Sequence, residues 1–269
     1  MINGFIFLDK PINKLSHETT SLVARMLKTK AGHAGTLDPN VSGVLPIGIG
    51  RARKFLRFLA NENKTYVGII KFPEPKNYDE INELFHKFTG IIEQIPPKIS
   101  AVAKKKRKRR VYELKILEIK GSRVLFKAKV EKGTYIRTLC KDMGGYMEDL
   151  RRIQVGTITE NMCITLNEVR NRILCKDLSF IRSIHNVFWN KKKIFLKKTA
   201  AHAFLSGAQI MRPGIKHYEE FNKNEIIALY YNHTFLGFGE TLVNSKELEQ
   251  MQKGKIVKTI RVYKTDITE

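Results

Sequence analysis

Residues 30–49 constrain this chain more than any other stretch. Lys30-Ala-Gly-His-Ala-Gly-Thr-Leu-Asp-Pro39 sets one imidazole and one carboxylate among small residues, and a glycine-punctuated apolar run, Val41 to Ile49, follows. That run reads as a buried strand or loop. Gly32 and Gly35 permit the close backbone approach that a flat ligand needs. Asp38 is the only carboxylate between Glu18 and Glu62, an interval that also holds Arg25, Lys28, Lys30, Arg51, Arg53, Lys54 and Arg57. A lone acid in such a field repels a phosphate, so it is either incidental or the seat of the chemistry.

The charge balance names the class of partner. With 49 Lys and Arg against 26 Asp and Glu, the net charge is +23, more than solubility requires. A polyanion, most plausibly nucleic acid, is implied. An anionic membrane is the weaker alternative, because the sequence shows no long apolar span or basic amphipathic anchor. Cys140, Cys163 and Cys175 are odd in number and lack metal spacing, which fits free thiols in a reducing compartment. The first residues lack the basic flank and apolar length of a signal peptide.

Two zones are expected, 1–188 and 189–269. In the first, the pattern predicts a strand over Phe5–Leu8 and a helix capped by Ser16 that runs to about Lys28. A helical stretch over Arg51–Ala60, a strand over Thr65–Phe72 and a helix from Asp79 capped by Asn77 follow. A hairpin is expected at Val111–Ile119 and Val124–Val130. Tyr135–Arg152 reads as a strand or helix end that finishes as a helix. In the second zone, strands at Phe195–Lys198, Glu225–Tyr231, Thr234–Glu240 and Lys255–Tyr263, with helices at Thr199–Ser206 and Lys246–Gln252, predict a small barrel-like module.

The Asp38-Pro39 pair alone reads as a turn whose side chain caps its own backbone. Its isolation among cations makes an arginine partner the sharper expectation, as a nucleophilic carboxylate requires. If Gly133-Thr-Tyr-Ile-Arg-Thr-Leu139 continues a strand, Tyr135 and Arg137 share a face and suit stacking plus anion pairing. An ordinary surface pair is the alternative. Tyr66, in Lys64-Thr-Tyr66, is open in the same way between core aromatic and stacking platform. Lys104, Lys105, Lys106, Arg107, Lys108, Arg109 and Arg110 form an unbroken basic run. It reads as a solvated loop, an import signal or a phosphate-contacting arm, and its place just before a strand favours the arm. No P-loop, GxGxxG, zincin motif or zinc-spaced Cys pair occurs, and His17 and His33 are too isolated to read as metal ligands. A reaction without cofactor or metal is therefore preferred.

In these segments the chain resembles the TruB family of pseudouridine synthases, nearest its archaeal and eukaryotic Cbf5 (dyskerin) branch. The resemblance rests on Leu8-Asp-Lys-Pro11 with Ser16-His-Glu18, on Lys30–Pro39 with Val41–Pro46, and on Lys64-Thr-Tyr66. It continues through Pro96-Pro97 with Ser100-Ala-Val102, Arg110-Val-Tyr112, Gly133–Arg137 and Leu150-Arg-Arg152. The second zone resembles a PUA domain. The resemblance implies an α+β fold with a mixed, largely antiparallel sheet flanked by helices, plus a small β module.

By the same resemblance, Asp38 matches the nucleophilic aspartate, Tyr66 the tyrosine that stacks on the target base, and Arg137 the arginine that pairs with the aspartate. Tyr135, His33 and Leu150 match residues that line the pocket or hold the flipped nucleotide, and Lys10 a motif lysine near the site. Uridine would be isomerised without a cofactor. The sequence lacks the Thr-Asp-Thr segment of the bacterial stand-alone tRNA enzymes, as does the Cbf5 branch. The implied role is therefore the catalytic subunit of an H/ACA guide ribonucleoprotein acting on rRNA. Its partners would be a guide RNA and Nop10-, Gar1- and L7Ae-like proteins, and its location cytoplasmic, or nucleolar in a eukaryote. A stand-alone synthase for the tRNA TΨC loop and a non-enzymatic RNA-binding subunit are the alternatives. Two departures stand out. Asp142–Leu150 is shorter than the family's Gly-Ala-His segment. The chain also starts almost at the first motif, where the branch carries an extension that helps complete the PUA domain, so an incomplete or rearranged module is expected.

Overall fold

The computed structural model describes residues 2–95 and 105–263. Pro96-Pro97, Ser100-Ala-Val102 and Lys104 lie outside the described residues. The chain divides into two compact units that meet in sequence at Ile181 and Arg182. The expected boundary, at 188/189, lies a few residues later.

The first unit contains β1 (Gly4–Lys10), α1 (Ser16–Met26), β2 (Ala31–His33), β3 (Ser42–Ile49), α2 (Leu56–Ala60), β4 (Lys64–Lys71), α3 (Tyr78–Lys87) and β5 (Gly90–Gln94). It continues with β6 (Arg107–Lys120), β7 (Arg123–Val130), α4 (Ile136–Asp142), β8 (Tyr146–Val155), β9 (Ile158–Thr159) and α5 (Leu166–Leu174). Its strands form one sheet in the order β1-β3-β8-β4-β7-β6-β5, with β2 on β3 and β9 on β8. Among the described strands of this sheet only the β3–β8 pair is parallel, and it spans just Ser42–Gly43 against Arg151–Arg152. Further along the same edge, β2 pairs with β3 over Ile47–Ile49, and the stretch between has no partner strand among the described residues. The sheet therefore splits along β3, and the chain between β2 and β3, which carries Asp38, lies at the split.

Apolar spacing places the helices. Val23 and Leu27 of the first helical segment and Val169 of α5 pack on Ile6, Leu8, Leu45 and Ile47 of β1 and β3. Ile81 and Phe85 of α3 and Ile136, Leu139 and Cys140 of α4 join Ile70, Phe126 and Val130 from β4 and β7 in a second cluster. Asn77 caps α3 as expected: its side chain accepts from Glu80 N at 2.9 Å, and Glu80 returns a bond to Asn77 N. The β6–β7 hairpin turns at Gly121, whose φ of +59° suits a residue without Cβ.

Three local expectations are corrected. Ser16 does not cap α1. Leu15 occupies that position, and the Ser16 hydroxyl turns inward to Leu37. The Gly133–Leu139 segment does not continue the strand, because α4 begins at Ile136 with Tyr135 at its N-cap. Tyr135 and Arg137 therefore do not share a strand face. Tyr146–Val155 is a strand and not the end of a helix. The shortened segment before it turns at Gly144, φ +83°, and leads straight into the β4–β8 pairing.

The second unit holds α6 (Ile184–Val187), β10 (Lys193–Leu196), α7 (Lys198–Leu205), β11 (Ile210–Met211), β12 (Ile215–Tyr218), β13 (Ile226–Tyr231), β14 (Thr234–Thr241), α8 (Ser245–Gln250) and β15 (Lys255–Val262). Its strands run β11-β15-β14-β13-β10-β12 in a near-closed, barrel-like sheet. Ala201 and Phe204 of α7 and Leu248 of α8 complete its core with Ile194, Leu229, Leu236 and Val257. The two-residue turn Asn232-His233, with Asn232 at φ +49°, sets the β13–β14 hairpin.

Candidate active site

The split in the sheet opens into a cleft of about 450 Å³, within the roughly 300–1,000 Å³ of small-molecule sites. One row across the sheet organises its floor. Lys10 of β1 is opposite Gly43 of β3, Gly43 is opposite Arg152 of β8, and Arg152 is opposite Tyr66 of β4. Residues in register share a face. The period of two along each strand then brings Lys64 with Tyr66, and Leu150 with Arg152, into the cleft lining. Gly43 is the position where side chains must be absent. Its φ is +104°, and a Cβ there would lie 2.1 Å from the Arg152 carbonyl oxygen.

Asp38 lines the cleft, and its Oδ2 meets Arg137 Nη2 at 3.0 Å. Arg137 stands in the first turn of α4. The start of α4 is fixed by Gln94, which is buried. Its Oε1 accepts from Tyr135 N at 3.0 Å, and its Nε2 donates to Tyr135 O at 3.1 Å. On the other side, the Ser16 hydroxyl accepts from Leu37 N at 2.9 Å and donates to Leu37 O at 3.0 Å. The residue next to Asp38 is thus tied to α1. Tyr66 and Leu150 are buried in the wall, and Tyr135 lines the rim half-buried.

Buried cations surround the acid's loop. Lys10, fully buried, donates from Nζ to Pro11 O at 2.7 Å, Lys14 O at 2.6 Å and Pro39 O at 3.2 Å. Burial lowers its pKa, Arg152 lowers it further, and Asp38 opposes the shift. Lys64 donates to Ala60 O and Glu62 O, each at 2.5 Å. Burial and then Arg152 bring its pKa down to about 8. His33, on β2, has its pKa lowered by burial, then by Arg152 and His17.

The expected site residues thus divide into those in the cleft and those behind it. Asp38, Tyr66, Tyr135, Arg137 and Leu150 line it together. Lys10 and His33 do not; the Lys10 ammonium is committed to carbonyls under the Asp38 loop. Most of the described basic run is strand and not loop. Arg107, Lys108, Arg109 and Arg110 belong to β6 and pair with β5, while Lys105 and Lys106 precede the strand, exposed. None of them lines the cleft. The Arg109 guanidinium packs against cleft residue Gly133, where an added Cβ would lie 3.3 Å from Nε. Among the described residues no cluster of three His, Cys, Asp or Glu is placed to hold a metal. No helix there is long and apolar enough to cross a membrane.

Three contributors escaped the sequence reading: Ser16, Gln94 and Arg152. Arg152 is 1% exposed. Once the segment is seen to be a strand, two successive arginines in it must face opposite ways. Arg151 turns to Asp9, at 2.9 and 3.0 Å, and Glu160, which leaves Arg152 to the interior.

Comparison with known proteins decides the family. Residues 24–136 match the model of the TruB family pseudouridylate synthase N-terminal domain, and residues 192–263 match the PUA domain. A probable tRNA pseudouridine synthase B of Sulfurisphaera tokodaii is 36% identical over 97% of this chain and 82% of its own length. The chain belongs to the TruB family of pseudouridine synthases. A relative from Thermoplasma volcanium with the same description is 38% identical over 92% of the chain and 74% of its own. Among solved structures, a chain of a Cbf5-Nop10-Gar1 complex aligns with a TM-score of 0.87 at 32% identity, covering 96% of this chain and 84% of that one. A chain of an H/ACA RNP bound to substrate RNA aligns at 0.86 and 30%, covering 97% and 85%. This TruB-family synthase therefore carries a pseudouridine synthase unit and a PUA unit, and the non-enzymatic reading of its charge does not hold.

Proposed function

We propose that this synthase draws a uridine out of its stack into the cleft and isomerises it there, with Asp38 as the reacting carboxylate. The Asp38–Arg137 pair, 3.0 Å apart in an open cleft, carries the reading. Isomerisation breaks the N1–C1′ bond, turns the base and joins C5 to C1′; the C5 proton is released to solvent and N1 takes one up, so no atom is gained or lost. Asp38 assists at the sugar. Arg137 orients the carboxylate and balances its charge. The Tyr66 ring gives the extruded base a face to stack on, and Leu150 and Tyr135 close the walls around it. Flipping costs a few kcal/mol, which phosphate contacts from the basic surface offset, those of Lys105–Arg110 among them.

The enzyme acts in this reading as the catalytic subunit of a guide RNA particle with small proteins like Nop10 and Gar1. The support is its likeness, across nearly its whole length, to chains solved in complexes of that kind. The second reading, direct action on tRNA, is favoured by the description its curated relatives share. Two reactions separate them. The chain reconstituted with partner proteins and a matched guide should convert the guided uridine, and Asp38→Asn should abolish this without weakening RNA binding. Conversion of a bare tRNA transcript, with no gain from guide or partners, would replace the guided reading by the tRNA one.

A further inference from the structure

We infer that Arg152 is a positioning residue for the reaction: its buried guanidinium fastens the loop that presents Asp38 and acts on the chemistry only through that carboxylate. This rests on the role proposed for Asp38. The need arises from the topology. The edge of β3 pairs with β8 only at Ser42–Gly43 and with β2 only at Ile47–Ile49. Between these stretches the strand has no partner strand on that side, and its backbone groups still require hydrogen bonds. Ala34 N meets one of them, donating to Pro46 O at 2.9 Å. Arg152 meets another, donating from Nε to Val44 O at 2.8 Å.

The same side chain reaches the loop itself. Nη2 donates to Gly35 O at 2.9 Å, so one rigid fork joins the strand after Asp38 to the backbone just before it. Lys10 Nζ holds the other flank through Pro39 O at 3.2 Å. Gly43, in register between Lys10 and Arg152, lets the β8 backbone at Arg152 approach β3 closely, since a Cβ there would lie 2.1 Å from the Arg152 carbonyl oxygen. Arg152 makes no ion pair among the described residues, although a buried cation is costly without a carboxylate. What the guanidinium supplies and an apolar residue cannot is two directed bonds that set where Asp38 stands relative to the cleft.

A lysine keeps the charge but offers a single nitrogen, which cannot span Nε and Nη2 positions together. Arg152→Met and Arg152→Lys in the full chain, with Asp38→Asn as control, test the inference. The assay is single-turnover release of tritium from C5 of labelled uridine, with enzyme in excess over an RNA that the wild type converts, beside direct RNA affinity. Misplacement of the carboxylate by about 1 Å predicts a rate roughly a hundredfold lower, with RNA affinity unchanged. Methylguanidine, entering the space left in Arg152→Ala, should restore part of the rate there and none in Asp38→Asn. If Arg152→Met fails to fold, Arg152→Lys and the rescue carry the test. Folded variants that match the wild-type rate, or that lose affinity as much as rate, overturn the inference. A fully active Asp38→Asn overturns the proposed function instead.

Discussion

The carboxylate of Asp38 and the guanidinium of Arg137 meet at 3.0 Å across the cleft, one on the loop before β3 and the other in the first turn of α4. Their side chains are 38% and 41% exposed, and a pair so wetted contributes only about 0–1 kcal/mol to stability. Stability does not account for the arrangement, whereas the proposed catalytic role does. Arg137→Met is expected to leave the urea midpoint nearly unchanged and to slow single-turnover conversion about a hundredfold. Unaltered conversion would refute the pairing's role.

Ser16 is expected to matter more than a surface serine at a helix start. Its hydroxyl exchanges two hydrogen bonds with Leu37 in a buried setting. Ser16→Ala leaves both backbone groups of Leu37 unpaired, at about 1–3 kcal/mol. Chemical denaturation should register that loss, and conversion should slow further than the unfolded fraction explains, since Leu37 adjoins Asp38. Ser16→Ala with wild-type stability would mean that the site is wetter than the burial of Ser16 implies.

Gly43→Ala should be among the most damaging small substitutions in the first unit. The added methyl would fall 2.1 Å from the Arg152 carbonyl oxygen, on a backbone of φ +104° that other residues avoid. The parallel β3–β8 contact would have to open, and Arg152 and Lys10 would shift with it. Thermal unfolding should show a large drop in midpoint or no folded protein. A mild effect would mean that the sheet split tolerates rearrangement.

Much of this architecture was legible. Period-two and 3.6-residue patterns located β1, β4, α3, the β6–β7 hairpin and most of the second unit, because each buries a face against its neighbours. The misreadings share a physical cause. Ser16 has the local chemistry of a cap, yet a long-range bond to Leu37 claims its hydroxyl. Tyr135 looks like strand until Gln94, distant in sequence, fixes its backbone at the head of α4. The basic run reads as an arm ahead of a strand, whereas Arg107–Arg110 are already strand because β5 pairs with them. Asp38 announced itself by isolation, which called for an arginine partner; only the family resemblance named that partner as Arg137. Arg152 did not announce itself, because the break in β3 pairing that it fills exists only in three dimensions.

The strand residues of the basic run make a separate prediction. Lys108 and Arg110 lie exposed on β6, and Lys105 and Lys106 precede them. Replacing these four by Gln should lower RNA affinity and flatten its dependence on salt, since each lost phosphate contact takes about 0.9 from the slope on a duplex and about 0.7 on a single strand. Conversion at saturating RNA should persist, because none of the four lines the cleft. Filter binding from low to moderate salt measures the slope, and an unchanged slope would show that the run is only solvated.

Lys64 makes the pH dependence specific. Burial first, then the charge of Arg152, bring its folded-state pKa down to about 8 from an ordinary 10.5. The unfolded chain therefore holds the extra proton between those values, and stability rises with pH across that window. At neutral pH the charged, buried Lys64 lowers stability, by at most about 3 kcal/mol from the size of the shift. Lys64→Met loses the bonds to Ala60 O and Glu62 O, which sets its stability at a different level but removes this titration. Urea unfolding of both proteins at intervals from neutral pH to about pH 10.5 isolates the effect, because every other titrating group is common to the two. The wild type should gain on the variant as pH climbs through the window. Parallel curves would mean that Lys64 keeps an ordinary pKa and that water reaches its ammonium from the cleft.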